Sequence, residues 1–179
     1  MEEVDIPLKE AKDPVAHRYE WVPSFLLDWL NIYVNRDGCR TPMQWSDEPL
    51  AGFCPPDAEP WLPIHENFSR VNVQEQRKDD DSLLHTYKQL LSLRRDHDAL
   101  RRGEIALLTN EGIYEDLLVY QRTSLGETLV VVINFGDQPV SFKNPTGCEK
   151  VLFSIGLEGM NRLDDPCTLP DRVGVVLGD

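Results

Sequence analysis

Proline constrains this chain more than any other residue. Nine of its thirteen prolines fall between Pro7 and Pro63, and all four tryptophans (Trp21, Trp29, Trp45, Trp61) fall in the same stretch. Proline fixes φ and has no N–H to donate, so Pro42, Pro49, Pro55, Pro56, Pro60 and Pro63 interrupt any helix interior or central strand there. Only Val22 to Val34 leaves room for a helix, around Ser24-Phe25-Leu26-Leu27-Asp28-Trp29-Leu30. So long an irregular excursion is unusual in a compact domain and points to a functional loop system. It has too little regular structure to build a core of its own, and its aromatics must pack on something else.

The pattern then changes. Lys78-Asp79-Asp80-Asp81 supplies acidic residues and an N-cap candidate for a helix, where negative charge suits the helix dipole. Leu83, Leu84, Tyr87, Leu90, Leu91 and Arg94 follow at three- and four-residue spacings, an amphipathic stripe, and Gly103 stops it. From Glu104 the period drops to two. Strands are expected at Ile105–Leu108, Leu117–Gln121, Thr128–Phe135, Pro139–Lys143, Cys148–Ser154 and Val173–Leu177. They are separated by turn signals at Asn110-Glu111-Gly112, Leu125-Gly126-Glu127, Gly136-Asp137 and Asn144-Pro145-Thr146-Gly147. Strands this closely spaced read as an antiparallel β-sandwich. The expected class is α+β, with a first region over residues 1–104 and a second over 105–179. A β-domain of that size is marginal for independent stability.

Charge and length exclude several functions. Thirty-one acidic side chains against eighteen basic give a net charge of −13, which disfavours a nucleic-acid groove or an anionic membrane surface. No apolar run approaches the roughly 20 residues of a membrane span, and the acidic start Met1-Glu2-Glu3-Val4-Asp5 lacks a signal-peptide core. A cytoplasmic protein is expected. Cys39, Cys54, Cys148 and Cys167 show neither CxxC spacing nor a nearby histidine pair, so free thiols are expected and no metal site. The 179 residues are also too few for a complete (β/α)8 barrel, which needs roughly 200 or more.

The most specific string is Arg36-Asp37-Gly38-Cys39-Arg40-Thr41-Pro42-Met43-Gln44-Trp45. Its chemistry admits two readings. Guanidinium groups fork onto vicinal hydroxyls or a carboxylate, and aromatic faces stack on sugar rings. Equally, a local Arg–Asp ion pair would fix a turn.

The string resembles the RDxxRTPMQW signature of the α-glucosidase branch of glycoside hydrolase family thirteen, which includes oligo-1,6-glucosidases, maltase-type enzymes and their trehalose-synthase and sucrose-isomerase relatives. The neighbouring segments resemble it as well. Glu2-Glu3-Val4-Asp5-Ile6-Pro7 and Asp13-Pro14 look like the segment after the eighth barrel strand. Ala51-Gly52-Phe53 and Glu59-Pro60-Trp61-Leu62-Pro63 look like the AGF…EPWLPV run. Val71-Asn72-Val73, Asp81-Ser82-Leu83-Leu84 and Leu93-Arg94-Arg95 to Gly103 are similar to the approach and end of the last barrel helix. Thr128–Phe135 is similar to a central strand of the β-sandwich called domain C. The resemblance covers nearly the whole chain. It implies the C-terminal remnant of a (β/α)8 barrel, a long loop plus the last barrel helix, followed by domain C. Relatives carry a GEEIGM string at the start of this region, so Met1 is expected to match an internal methionine.

In that family an aspartate nucleophile, a glutamate acid/base and a second aspartate hydrolyse α-glucosidic bonds with retention. Those carboxylates lie on barrel strands four, five and seven, and neither a G-x-R-x-D nor an NHD string occurs here. The resemblance therefore implies no catalytic residue in this chain, no cofactor and no activity by the chain alone. It implies that Arg40, paired with an aspartate from the missing first part of the barrel, hydrogen-bonds the terminal glucose of an α-linked gluco-oligosaccharide, while Arg36 and Asp37 shape the entrance and the neighbouring subsite. Met43, Gln44 and Trp45 are expected to be scaffold. His97-Asp98 aligns with a helix-terminal EHPAL segment of relatives and is expected to be a decoy; His17, His65 and His85 are isolated, surface or capping residues. The missing N-terminal barrel portion is the implied partner. The alternative is a standalone, non-catalytic carbohydrate- or protein-binding β-sandwich module.

Overall fold

In the computed structural model, residues 4–108, 116–144, 146–157 and 159–179 are described. The Asn110-Glu111-Gly112 turn signal and Pro145 lie outside them. The chain divides into two compact units, Met1–Thr86 and Tyr87–Asp179.

The first unit is mostly irregular, but it holds more helix than the prolines suggest. α1 (Pro14–Tyr19) forms because Asp13 caps it through Val15 N–H and Pro14 occupies the first turn, where a missing N–H costs nothing. α2 (Ser24–Trp29) lies where it was expected, and α3 (Val73–Gln76) is capped by Asn72, whose Oδ1 accepts from Glu75 N at 2.9 Å. Short 3-10 turns cover Asp37–Cys39, Pro49–Gly52 and Glu66–Ser69. His65 caps the last of these, with Nδ1 accepting from Asn67 N. The loop after the arginines is tied down by its backbone: Ala51 O accepts from Trp45 and Ser46, and Gln44 O and Trp45 O accept from Val73 and Gln74. Leu50 and Ala51 sit at φ 55, a left-handed conformation that L-residues adopt only under constraint. Gln44 Nε2 donates to Asn67 Oδ1 at 3.1 Å and to Val71 O, so this glutamine belongs to the scaffold.

The stripe helix, α4 (Leu83–Asp96), starts on Ser82 rather than on the aspartates before it. Ser82 Oγ accepts from His85 N at 3.4 Å, and Gln76 Oε1 accepts from Leu84 N at 3.0 Å. The helix does not run through to Gly103. It breaks at His97, and α5 (Asp98–Arg102) follows. No α4 side chain is buried, and Leu83, Tyr87 and Leu91 are exposed.

The second unit contains a five-stranded antiparallel sheet in the order β1-β2-β3-β7-β5 and a two-stranded sheet of β4 and β6. The strands are β1 (Glu104–Leu107), β2 (Leu117–Ser124), β3 (Glu127–Asn134), β4 (Val140–Phe142), β5 (Lys150–Ile155), β6 (Cys167–Leu169) and β7 (Val173–Gly178). Val130 and Val132 of β3, Phe142 of β4, Cys167 and Leu169 of β6, and Val173, Val175 and Leu177 of β7 share one core between the sheets. Each fully buried aliphatic side chain there contributes about 2 kcal/mol. This is the β-sandwich. β6 is the strand that sequence patterning missed: three residues between Pro166 and Pro170 carry no period. All four cysteines are free, and burial pushes the Cys167 thiol up to about 11.

No helix among the described residues is long and apolar enough to cross a membrane.

Candidate functional site

The arginine loop folds back on the segment that leads into α1. Asn35 Nδ2 donates to Ile6 O at 2.7 Å and Asn35 Oδ1 accepts from Asp37 N at 3.1 Å, which turns the chain so that Asp37 points inward. Asp37 is only 1% exposed; its Oδ2 accepts from Lys12 N at 2.5 Å and Asp13 N at 3.0 Å. It therefore fixes the entry to α1 and pairs with neither arginine of its own motif.

Asp13 takes that ionic part. It too is only 1% exposed. Arg36 Nε donates to its Oδ2 at 2.7 Å and Arg36 Nη2 to its Oδ1 at 3.1 Å, a two-pronged fork. Arg40 Nη1 stands 3.6 Å from the same Oδ2, within ion-pair range but beyond a hydrogen bond. Arg36 first, and Val15 N–H next, hold the Asp13 carboxyl far below the usual carboxylate range, while Asp13 raises Arg36 in turn. The motif's ion pair thus exists, but with an aspartate outside it. Asp13-Pro14 is legible as a helix start; a partner 23 residues from Arg36 is not.

Both arginines keep roughly half of their side-chain surface in solvent. Cys39, exposed between them, donates from Sγ to Arg36 O at 3.0 Å. Such a cluster can hydrogen-bond hydroxyls or an anion. It offers no acid/base pair, because both of its carboxylates are buried and committed to N–H donors. Beside it, a cleft of about 660 Å³ is lined by apolar residues such as Ile6, Val22 and Leu27 together with Asp5, Lys9 and Glu20, and by neither arginine.

His65, His85 and His97 make local hydrogen bonds. His97 Nδ1 lies 2.6 Å from Glu127 Oε1 at the α4–α5 break, and His85 Nδ1 is 2.8 Å from Asp79 O. Among the described residues, no group of three or more His, Cys, Asp or Glu could hold a metal ion.

Residues 21–103 match the family described as "Alpha amylase, catalytic domain", and residues 112–176 match a domain of unknown function, DUF3459. The chain belongs to the α-amylase family. It is 39% identical over 133 residues to a probable oligo-1,6-glucosidase 2 of Bacillus subtilis (strain 168), an alignment covering 73% of this chain and 23% of that protein. It is 40% identical over 120 residues to a glucan 1,6-α-glucosidase of Streptococcus dysgalactiae subsp. equisimilis, covering 66% and 22%. The trehalulose synthase MutB from Pseudomonas mesoacidophila MX-45 superposes with a TM-score of 0.80 at 26% identity, over 99% of this chain and 33% of that one. The chain thus spans less than a quarter of the length of these curated relatives. Within the family its architecture is a barrel remnant followed by an antiparallel β-sandwich.

Proposed function

We propose that this chain is the C-terminal portion of a retaining α-glucosidase, whose substrate is a short α-linked gluco-oligosaccharide cut at its terminal bond. The observation that carries the reading is the Arg36–Asp13–Arg40 cluster, built from the motif shared with that branch of the family. Arg40 hydrogen-bonds the terminal glucose. Arg36 and Asp37 shape the entrance, Asp37 from beneath by holding the backbone of Lys12 and Asp13. The names of the relatives favour α-1,6 linkages. The nucleophile, acid/base and stabilising carboxylates come from the rest of the barrel, so the chain by itself is inactive. The barrel portion is taken to end at Glu104 and domain C to begin at Ile105; the two family matches, 21–103 and 112–176, support that division. Four free thiols suit a cytoplasmic setting.

The test is p-nitrophenol release from an α-glucoside, with isomaltose and maltose as competing substrates. The 179-residue chain should show no turnover. In the complete enzyme, Arg40→Ala should lower kcat/KM about 100-fold by removing hydrogen bonds to sugar hydroxyls. An unchanged kcat/KM would remove Arg40 from the site. Appreciable turnover by the chain alone would overturn its dependence on the barrel.

A further inference from the structure

We infer that Asp13 is the positioning residue of the arginine cluster: it locks Arg36 in place and holds Arg40 beside it within ion-pair range. The inference rests on the α-glucosidase reading for its kinetic consequence and on geometry alone for its structural one.

Two guanidinium groups four residues apart on one loop repel each other, and exposed arginine side chains carry large rotamer entropy. Something must offset both for either to present a defined donor set. Asp13 does so with one carboxylate. Its two oxygens take the Arg36 fork at 2.7 and 3.1 Å, which fixes that side chain in one plane. Arg40 approaches the same oxygen only to 3.6 Å. No described residue accepts a hydrogen bond from the Arg40 guanidinium, so among the described residues Asp13 restrains it by charge alone. Without the aspartate the two arginines would splay apart.

The position of Asp13 is itself enforced from both sides. Its N–H is held by Asp37 Oδ2, and its Oδ1 also caps α1 through Val15 N–H at 2.9 Å. The loop holds the helix start through Asp37, and the helix start holds the loop through Asp13. The two aspartates exchange support across 24 residues. Asp37 fixes the place of Asp13, and Asp13 fixes the direction of Arg36 and Arg40.

The cap and the charge can be separated. Asp13→Asn keeps one oxygen able to cap α1 but loses the charge and turns the second acceptor of the Arg36 fork into an N–H donor, and Asp13→Ser caps equally well with no reach toward the arginines. In the complete enzyme, either variant should raise KM for isomaltose about tenfold while kcat stays within about twofold, the signature of a lost ground-state contact rather than lost chemistry. Asp13→Glu, which keeps the charge on a longer arm, should recover part of the KM. In the 179-residue chain, the exposed Cys39 thiol reports the same loop without any activity. Its alkylation by neutral iodoacetamide, followed by peptide mass spectrometry, should be several-fold faster in Asp13→Asn than in the wild type, because the Arg36 carbonyl that receives its S–H is no longer held.

The outcomes separate the two proposals. If Arg40→Ala is harmful while Asp13→Asn and Asp13→Ser leave both KM and Cys39 reactivity unchanged, Asp13 is only a helix cap and the inference falls. If the complete enzyme has no α-glucosidase activity, the function falls, and Cys39 reactivity still decides whether Asp13 orders the loop. A fall in kcat with KM unchanged would also overturn the positioning role.

Discussion

Glu127 closes a helix that lies 28 residues before it in the chain. Its Oε2 accepts from Ala99 N at 2.8 Å, and its Oε1 meets His97 Nδ1 at 2.6 Å, so one carboxylate does for α5 what a local serine or aspartate does elsewhere. First the Ala99 amide, then the His97 ring, hold the Glu127 carboxyl below its ordinary value of 4.5, against the opposing effects of burial and the nearby Asp98. A lowered folded-state value has a definite sign. The stabilisation is complete above the ordinary glutamate range and disappears as pH falls through the lowered value. Glu127→Gln should therefore cost about 1 kcal/mol at about pH 7 and much less at about pH 3, measured as the difference in urea unfolding from the wild type. An equal difference at both pH values would show that the charge contributes nothing.

The same tie explains the break between α4 and α5. Leu93 to Arg102 carries no proline or glycine, and its local propensity favours one continuous helix ending at Gly103. Tertiary capping by Glu127, together with Arg122 donating to Ala99 O at 3.1 Å and Leu100 O at 3.3 Å, decides otherwise. Gly103 sits where the helix meets the sheet. Its φ is ordinary, so what demands glycine is space: a Cβ there would collide with Ala99 O and lie 2.8 Å from Thr123 O, both backbone atoms. Gly103→Ala should destabilise the second unit by about 2 kcal/mol, read from the denaturation midpoint, and an unchanged midpoint would mean that the α5–β2 junction yields freely. What was legible in the sequence follows from the range of the forces involved. The centre of β3, Leu129 to Val132, declares itself because a stretch buried at every position is apolar throughout. α1 was hidden although Asp13 and Pro14 are ordinary start signals, because the surrounding prolines dominated the pattern. The RDxxR motif drew attention to the loop in which the two arginines and Asp13 meet. The partner of its arginines depended on Asp13, and no spacing rule reaches that far.

At the scale of the whole chain, some of the exposed apolar side chains recur at regular spacing. Trp21, Phe25 and Trp29 recur every four residues and are 79%, 66% and 80% exposed. Leu83, Tyr87 and Leu91 do the same on α4, at 63%, 61% and 62%. On α4, and for Phe25 and Trp29 of α2, such spacing marks an apolar face that packing against another surface would cover. The net charge of −13 acts in the opposite direction, since like-charged copies repel. The balance is set by salt, which screens the repulsion and leaves apolar attraction intact. The isolated chain should therefore approach its monomer mass of 20.5 kDa in dilute buffer and associate as salt rises, followed by light scattering during size-exclusion chromatography. Replacing Trp21, Phe25 and Trp29 with glutamine should shift the association to higher salt. A monomer that persists at high salt and melts in one sharp two-state transition would mean that these faces need no cover.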